Sequence, residues 1–276
     1  MCSSDLFLVM DLQDRKQHQS ANRFLNTYLE FTGDYQGLSV LPFYLCYRAL
    51  VRAKVNALRL EQKNITKVAR QSLLTEFESY LALATTYTQQ PAPKLIIMRG
   101  LSASGKSTVS QQLLEKLPAI RIRSDVERKR LFDALSIDPS LDNKESNKID
   151  SGIYTAQASQ QTYAKLAMLT SQVISAGYSV IVDAAFLQHG QRESFQTLAQ
   201  RLSVPYIIVE LTASTETLRQ RIAARENDVS DADLVVLEHQ LNNWQPLHED
   251  EINHAISLDT EAALEINTLI DAIDVI

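Results

Sequence analysis

Cysteine, long apolar runs and metal-ligating clusters are all scarce in this chain of 276 residues. The two cysteines, Cys2 and Cys46, are too few and too far apart for a disulfide scaffold, and they suit a reducing compartment. No apolar stretch approaches the length of a membrane span, and the N-terminal run Leu6–Met10 has no basic segment before it. A cytoplasmic protein with no membrane partner is expected. Of the five histidines, only His248 starts a zinc-protease-like pattern with Glu249, and Ile252 stands where the second histidine is required. A metal site built on His or Cys is therefore not expected. With 27 basic against 33 acidic residues, the net charge of −6 gives no overall attraction to polyanions. Nucleic acid is disfavoured as a partner, although a local basic groove stays open. There is no internal repeat, and the one low-complexity candidate is the polar stretch 138–152.

What the chain does have is 45% apolar residues, enough for a sizeable core, distributed in two textures. Up to about residue 90, apolar residues recur at three- and four-residue spacing over 21–30, 42–60 and 68–83, which predicts helices. Apart from Leu6–Met10, no strand-like run appears there. The segment Thr88–Lys94, "TQQPAPK", reads as a stiff linker because each proline fixes φ and biases its predecessor to extended geometry. The expected organisation is thus a helical region over 1–90 and a second domain over 91–276.

In that second part, β-branched apolar runs (95–99, 119–123, 179–183, 206–211, 254–258) alternate with helical patterns. Strands of this kind are buried on both faces, so the alternation predicts an α/β fold. A five-stranded parallel sheet with helices on both faces follows, with ligands at the carboxyl ends of its strands.

Between the first strand and a helical segment stands "GLSASGKST", Gly100 to Thr108. Gly100-x-x-x-x-Gly105-Lys106-Ser107 matches the phosphate-binding loop pattern in full, and such a match arises by accident in roughly one chain in a hundred of this length. The strand and helix around it make accident rarer still. The glycines let the backbone of Gly100, Ser102, Ala103, Ser104, Gly105, Lys106, Ser107 and Thr108 curl so that its N–H groups face phosphate oxygens at a helix N-terminus. Lys106 is expected on the β- and γ-phosphates of ATP, and the Ser107 hydroxyl on Mg2+. Asp183, closing "SVIVD", is the expected second metal-side residue, with helix capping as the alternative.

After the second strand comes "RSDVERKR". Ser124 and Glu127 form a capping-box pattern, which accounts for both without chemistry. Asp125 and Arg128 lie three apart on one helical face, where a carboxylate can deprotonate an acceptor hydroxyl while a guanidinium steadies phosphate charge. Tyr154 and Tyr163, on the long helical segment 154–175, are read as core residues with a wet hydroxyl, with a place in an acceptor pocket as the alternative.

Together "GLSASGKST", "RSDVERKR" and "VIVDAAF" resemble the P-loop kinases grouped with polynucleotide kinase, gluconate kinase and the zeta-toxin-like kinases. The resemblance covers about residues 94–260. It implies a nucleoside-kinase-like P-loop NTPase fold, ATP and Mg2+ as cofactors, and Asp125-x-x-Arg128 as an acceptor-binding pair. A lid helix with arginines after the fourth strand is also implied, and "TLRQRIAARE" supplies Arg219, Arg221 and Arg225. Arg221 and Arg225 share a face that suits phosphate, and Arg219 points elsewhere. One departure is Ala184-Ala185 where relatives carry a threonine, which implies weaker activity or a different acceptor. "ANRFLNTYLEFTGDYQGL" and "LPFYLCYRALVRAKVNALRLEQ" resemble the closing helices of an aminoglycoside-phosphotransferase-like domain whose catalytic lobe would precede Met1. That region is expected to be incomplete, with part of its apolar helix surface exposed. The expected activity is transfer of the γ-phosphoryl group of ATP to a hydroxyl of a small molecule. A 5′-hydroxyl kinase of nucleic acid and a non-catalytic ATP-dependent switch are the alternatives. No oligomeric state is assigned.

Overall fold

The structure is a computed structural model that describes residues 3–89, 91–133, 156–224, 234–262 and 265–275. Five strands form one sheet: β1 (Leu95–Arg99), β2 (Ala119–Arg123), β3 (Ser179–Asp183), β4 (Tyr206–Thr212) and β5 (Ala255–Asp259). All pair in parallel, in the order β2-β3-β1-β4-β5. The expected α/β sheet is thus present, with every strand within a residue of its predicted bounds.

Alternate side chains leave the sheet on opposite faces. Leu95, Ile97, Ile120, Ile122, Val180 and Val182 pack on one face, under α7 (Ala156–Ser175) and α8 (His189–Leu202). Ile96, Met98, Ile181, Ile207 and Val209 pack on the other, under α5 (Lys106–Lys116) and α12 (Ile266–Val275). Helices on both faces explain why the strands read as unbroken apolar runs.

Ahead of the sheet come α1 (Ser3–Asp14), α2 (His18–Thr32), a 3-10 turn over Tyr35–Ser39, α3 (Leu41–Leu60) and α4 (Lys67–Thr86). Leu6–Met10, the one strand-like run of this region, lies inside α1. A five-residue apolar run does not separate strand from buried helix, and here tertiary packing decides, with Val9 and Met10 fully buried. Leu25, Leu29, Tyr35, Leu38 and Leu45 join the same apolar cluster as Leu95, Ile122 and Leu166, so the core runs without a break across residue 90. On the outer side of α3, Phe43, Tyr47 and Leu58 are exposed, in line with the expected open helix surface.

The edge strand β2 is covered in an unusual manner. Asn26 of α2 is buried, its Nδ2 donates to Ala119 O (3.0 Å), and its Oδ1 accepts from Arg121 N (2.7 Å). One carboxamide thereby does for β2 what a neighbouring strand would do. Asn26→Ala leaves a buried N–H and a buried C=O without partners, at about 2–3 kcal/mol. The urea midpoint is expected to fall by that energy divided by the unchanged m-value, about 1 M for an m of about 2–3 kcal/mol/M.

Candidate functional site

The site gathers where β1, β2 and β3 end. Gly100 follows β1 at φ +155°, and a Cβ there would sit 2.5 Å from Ser104 Oγ and 2.6 Å from Leu211 O. Only glycine fits. Ala103 is held at φ +65° and Gly105 at φ +90°, so the chain curls tightly before α5 begins. No side chain caps α5, which leaves the amides of its first turn to a ligand at the positive end of the helix dipole. The loop is anchored from outside by Gly100 N to Ala185 O (3.1 Å), Ser102 N to Gln240 Oε1 (2.8 Å) and Arg221 Nη1 to Ala103 O (3.3 Å). Ser102 is half-buried and Ser104 buried, whereas Ser107 and Thr108 are exposed. The Lys106 ammonium folds back onto Gly100 O (2.9 Å) and Leu101 O (2.7 Å), across the mouth of the curl.

Asp183 is buried at the end of β3, beside Met98 of β1 in the sheet register. Its Oδ2 lies 3.2 Å from Ser110 Oγ, and Ser110 in turn reaches Ser107 O at 3.1 Å. The acid is thereby tied to the first turn of α5. A hard cation such as Mg2+ takes oxygen ligands and keeps several waters. The Ser107 hydroxyl and the Asp183 carboxylate are oxygen donors of that type at the right end of the sheet. Among the described residues there is no cluster of three or more His, Cys, Asp or Glu that would cage a metal by itself.

Asp125 starts α6 (Ser124–Asp133), directly after β2. Burial pushes its carboxyl above the ordinary value. The positive charges of Arg128, Lys106 and Arg123 pull it down, and the Asp183 carboxylate adds to the rise. Asp125 therefore lies within charge range of the loop lysine, the β3 acid and Arg128 at once. Glu127 is fully buried and pairs with Arg130, with the Tyr35 hydroxyl donating to it at 3.4 Å.

On the far side, α9 (Thr215–Ala223) brings Arg221 to Thr260 Oγ1 (2.9 Å) and Thr260 O (2.8 Å) as well as to the loop. Arg219 points away and pairs with Glu238 of α10 (Leu234–Asn242). Arg225, Tyr154 and the polar stretch 138–152 lie outside the described residues. Tyr163 packs edge-on to Phe186, and its hydroxyl accepts from Phe186 N at 3.0 Å. Burial raises its pKa to about 12, and from the margin of the core the half-buried Tyr163 braces the turn after β3.

Several neighbours of the site carried no sequence signal. Gln240 holds the loop and Thr260 holds Arg221 from elements far along the chain, while Ser110 ties Asp183 to α5. Two fully buried arginines secure the surrounding turns. Arg192 clamps Glu251 with two bonds (2.7 and 2.9 Å) and donates to Phe186 O (3.0 Å). Arg99 pairs with Glu210, donates to Gln245 O (2.6 Å) and lies 3.8 Å from the centre of the Trp244 ring. Arg99 and Glu210 face each other across adjacent strands, whereas no local spacing points to Arg192 and Glu251.

A glycine-rich turn between the central strand and its helix, with an acid ending the adjacent parallel strand, defines a P-loop nucleotide-binding fold. Residues 95–247, more than half of the chain, match a family described as "AAA domain", and the chain belongs to that family. Uncharacterized proteins of Mycobacterium tuberculosis and Mycobacterium bovis are each 28% identical over 226 residues, which make up 82% of this chain and 43% of theirs. The chain spans less than half the length of these curated relatives. Among solved structures, a sugar kinase from Janibacter sp. is similar at 19% identity, over 66% of this chain and 92% of that one, with a TM-score of 0.47. Kti12 of Chaetomium thermophilum in complex with ADP-AlF3 aligns at 16% identity over 65% and 96%, TM-score 0.48. A gluconokinase from Sinorhizobium meliloti aligns at 17% over 66% and 90%, TM-score 0.45.

Proposed function

We propose that the protein is an ATP-dependent kinase that phosphorylates a hydroxyl of a small molecule. One placement supports it above all: Asp125 follows β2 two residues after Arg123, the register partner of Asp183, so both acids stand at the end of the sheet where the curled loop follows β1. An alcohol seated there loses its proton to the Asp125 carboxylate as its oxygen bonds to the γ-phosphorus. The bond from that phosphorus to the β-phosphate oxygen breaks, and ADP leaves. Lys106 turns from its loop carbonyls to the phosphates, and Arg128 offsets charge on the transferred group. Arg221, already hydrogen-bonded to the loop, and Arg225 close over the nucleotide. Ser107 and Asp183 would hold Mg2+, which would supply neutralisation of phosphate charge. Residues 1–90 serve this site as a helical support.

A nucleic-acid acceptor needs a basic track along the phosphates. The basic stretch of β2 and α6 is a poor candidate, because Arg121, Arg123 and Arg130 spend their guanidinium groups on Glu30 and Glu127. Transfer of label from ATP into a panel of hydroxyl metabolites and oligonucleotides, against Lys106→Ala and Asp125→Asn controls, tests the reading. Label in a metabolite that both variants abolish is the expected result. Label only in oligonucleotides, lost at high salt, would replace the acceptor class. Nucleotide binding with no transfer to any acceptor would leave a switch in place of an enzyme.

A further inference from the structure

Glu30 sits near the end of α2, outside the P-loop part of the chain, yet it reaches the site. Its Oε1 lies 2.9 Å from Arg123 Nη1 and its Oε2 3.2 Å from Arg121 Nη2. Both arginines belong to β2 and, two residues apart, leave the sheet on the same face. Arg123 stands directly opposite Asp183 in the parallel register, with its Nε 4.0 Å from Asp183 Oδ2. Arg121 Nη1 lies 3.3 Å from Ser110 Oγ, the hydroxyl beside the same carboxylate oxygen. Two guanidinium groups therefore flank one buried acid, and opposite charges across adjacent strands pair readily. Glu30 is the carboxylate that draws both of them the other way.

We propose that Glu30 is a positioning residue that holds Arg123 and Arg121 aside and so keeps the Asp183 carboxylate available to a divalent cation. The inference rests on the metal role read for Asp183 above. Arg123 and Asp183 already form a long ion pair at 4.0 Å, and without Glu30 that pair tightens into direct contact. A cation then has to displace a guanidinium before it can bind. The helical region over 1–90 thus contributes a residue to the charge balance of a site built by the other two thirds of the chain.

The test is a titration with Mn2+, its free form followed by electron paramagnetic resonance, at saturating ADP and with the full chain. Glu30→Gln is expected to raise the Mn2+ concentration for half-saturation about tenfold, the size of one partly buried ion pair. Affinity for ADP without metal is expected to hold or tighten, since the site has lost a negative charge. Arg123→Gln moves the half-saturation the other way, and Glu30→Gln/Arg123→Gln stays close to Arg123→Gln alone. A merely structural role for Glu30 would weaken metal-free ADP binding and Mn2+ binding together, and that result overturns the inference. An unchanged half-saturation in Glu30→Gln overturns it as well. If Glu30→Gln does not fold, Arg123→Gln decides: a half-saturation that fails to fall rejects the idea. Asp183→Asn separates the two levels. Should it leave Mn2+ binding intact, the metal assignment itself fails and Glu30 falls with it; should it abolish binding while Glu30→Gln has no effect, only the role of Glu30 is lost.

Discussion

Lys106→Ala is expected to remove nearly all nucleotide-dependent stabilisation. Ligand at about 100 times its dissociation constant adds about 2.7 kcal/mol to the folded state. Charge-assisted hydrogen bonds contribute about 1.5–3 kcal/mol each, so losing the ammonium from two phosphates weakens ATP by roughly a hundredfold or more. At the same ligand concentration the gain then drops to about 0.4 kcal/mol or less. In a melting experiment on a chain of this size, that is a shift of about 5–10 °C reduced to about 1 °C. Because Lys106 also bonds Gly100 O and Leu101 O, each variant is referred to its own melting temperature without nucleotide. A full shift in Lys106→Ala would mean that the curl does not hold the phosphates.

Asp125→Asn is expected to separate binding from transfer. The amide keeps the size of the side chain but cannot take a proton, and loss of a general base costs about 10²–10⁴-fold in rate. ATP affinity stays within about twofold, since the loop and Lys106 are untouched. The pH dependence follows from the raised pKa of Asp125, caused first by burial. The base works only when ionised, so kcat/KM falls on the acid side with a midpoint above the ordinary carboxylate value of about 3.9, and that limb vanishes in the variant. Stability runs in the opposite sense. A carboxyl with a folded pKa above its unfolded one stabilises the fold below the unfolded pKa, and that contribution is lost as pH rises through the folded value. Asp125→Asn is therefore expected to melt higher than the parent at neutral pH and to lose the advantage on acidification. Normal transfer by the variant would remove Asp125 from the chemistry.

Much of the frame was legible because its signals are local. Short apolar runs, several of them continuous and β-branched, marked the five strands, and the spacing of Gly100, Gly105 and Lys106 marked the turn between β1 and α5. Position within a short motif also placed Asp125 and Asp183 at one end of the sheet. The supports were not legible, since each is a long-range pairing with no period. Asn26 meets β2 across more than ninety residues, as does Glu30 with Arg121 and Arg123. Ser110 reads as one more polar position on α5, and only the fold brings it to Asp183. The resemblance implies a lid role for Arg221, and its bonds to Ala103 O and Thr260 depend on how β5 ends beside the loop.

The single carboxamide that seals β2 has a practical consequence for anyone dissecting this protein. A shortened version starting at residue 91 would leave Ala119 O and Arg121 N of the edge strand unpaired, beside Ile120 and Ile122 that have lost the part of their cover supplied by the N-terminal helices. Such a fragment is expected to stack strand against strand into soluble oligomers or inclusion bodies, whatever the merit of its nucleotide pocket. Solubility of the shortened form would return only when a peptide carrying α2 is supplied beside it.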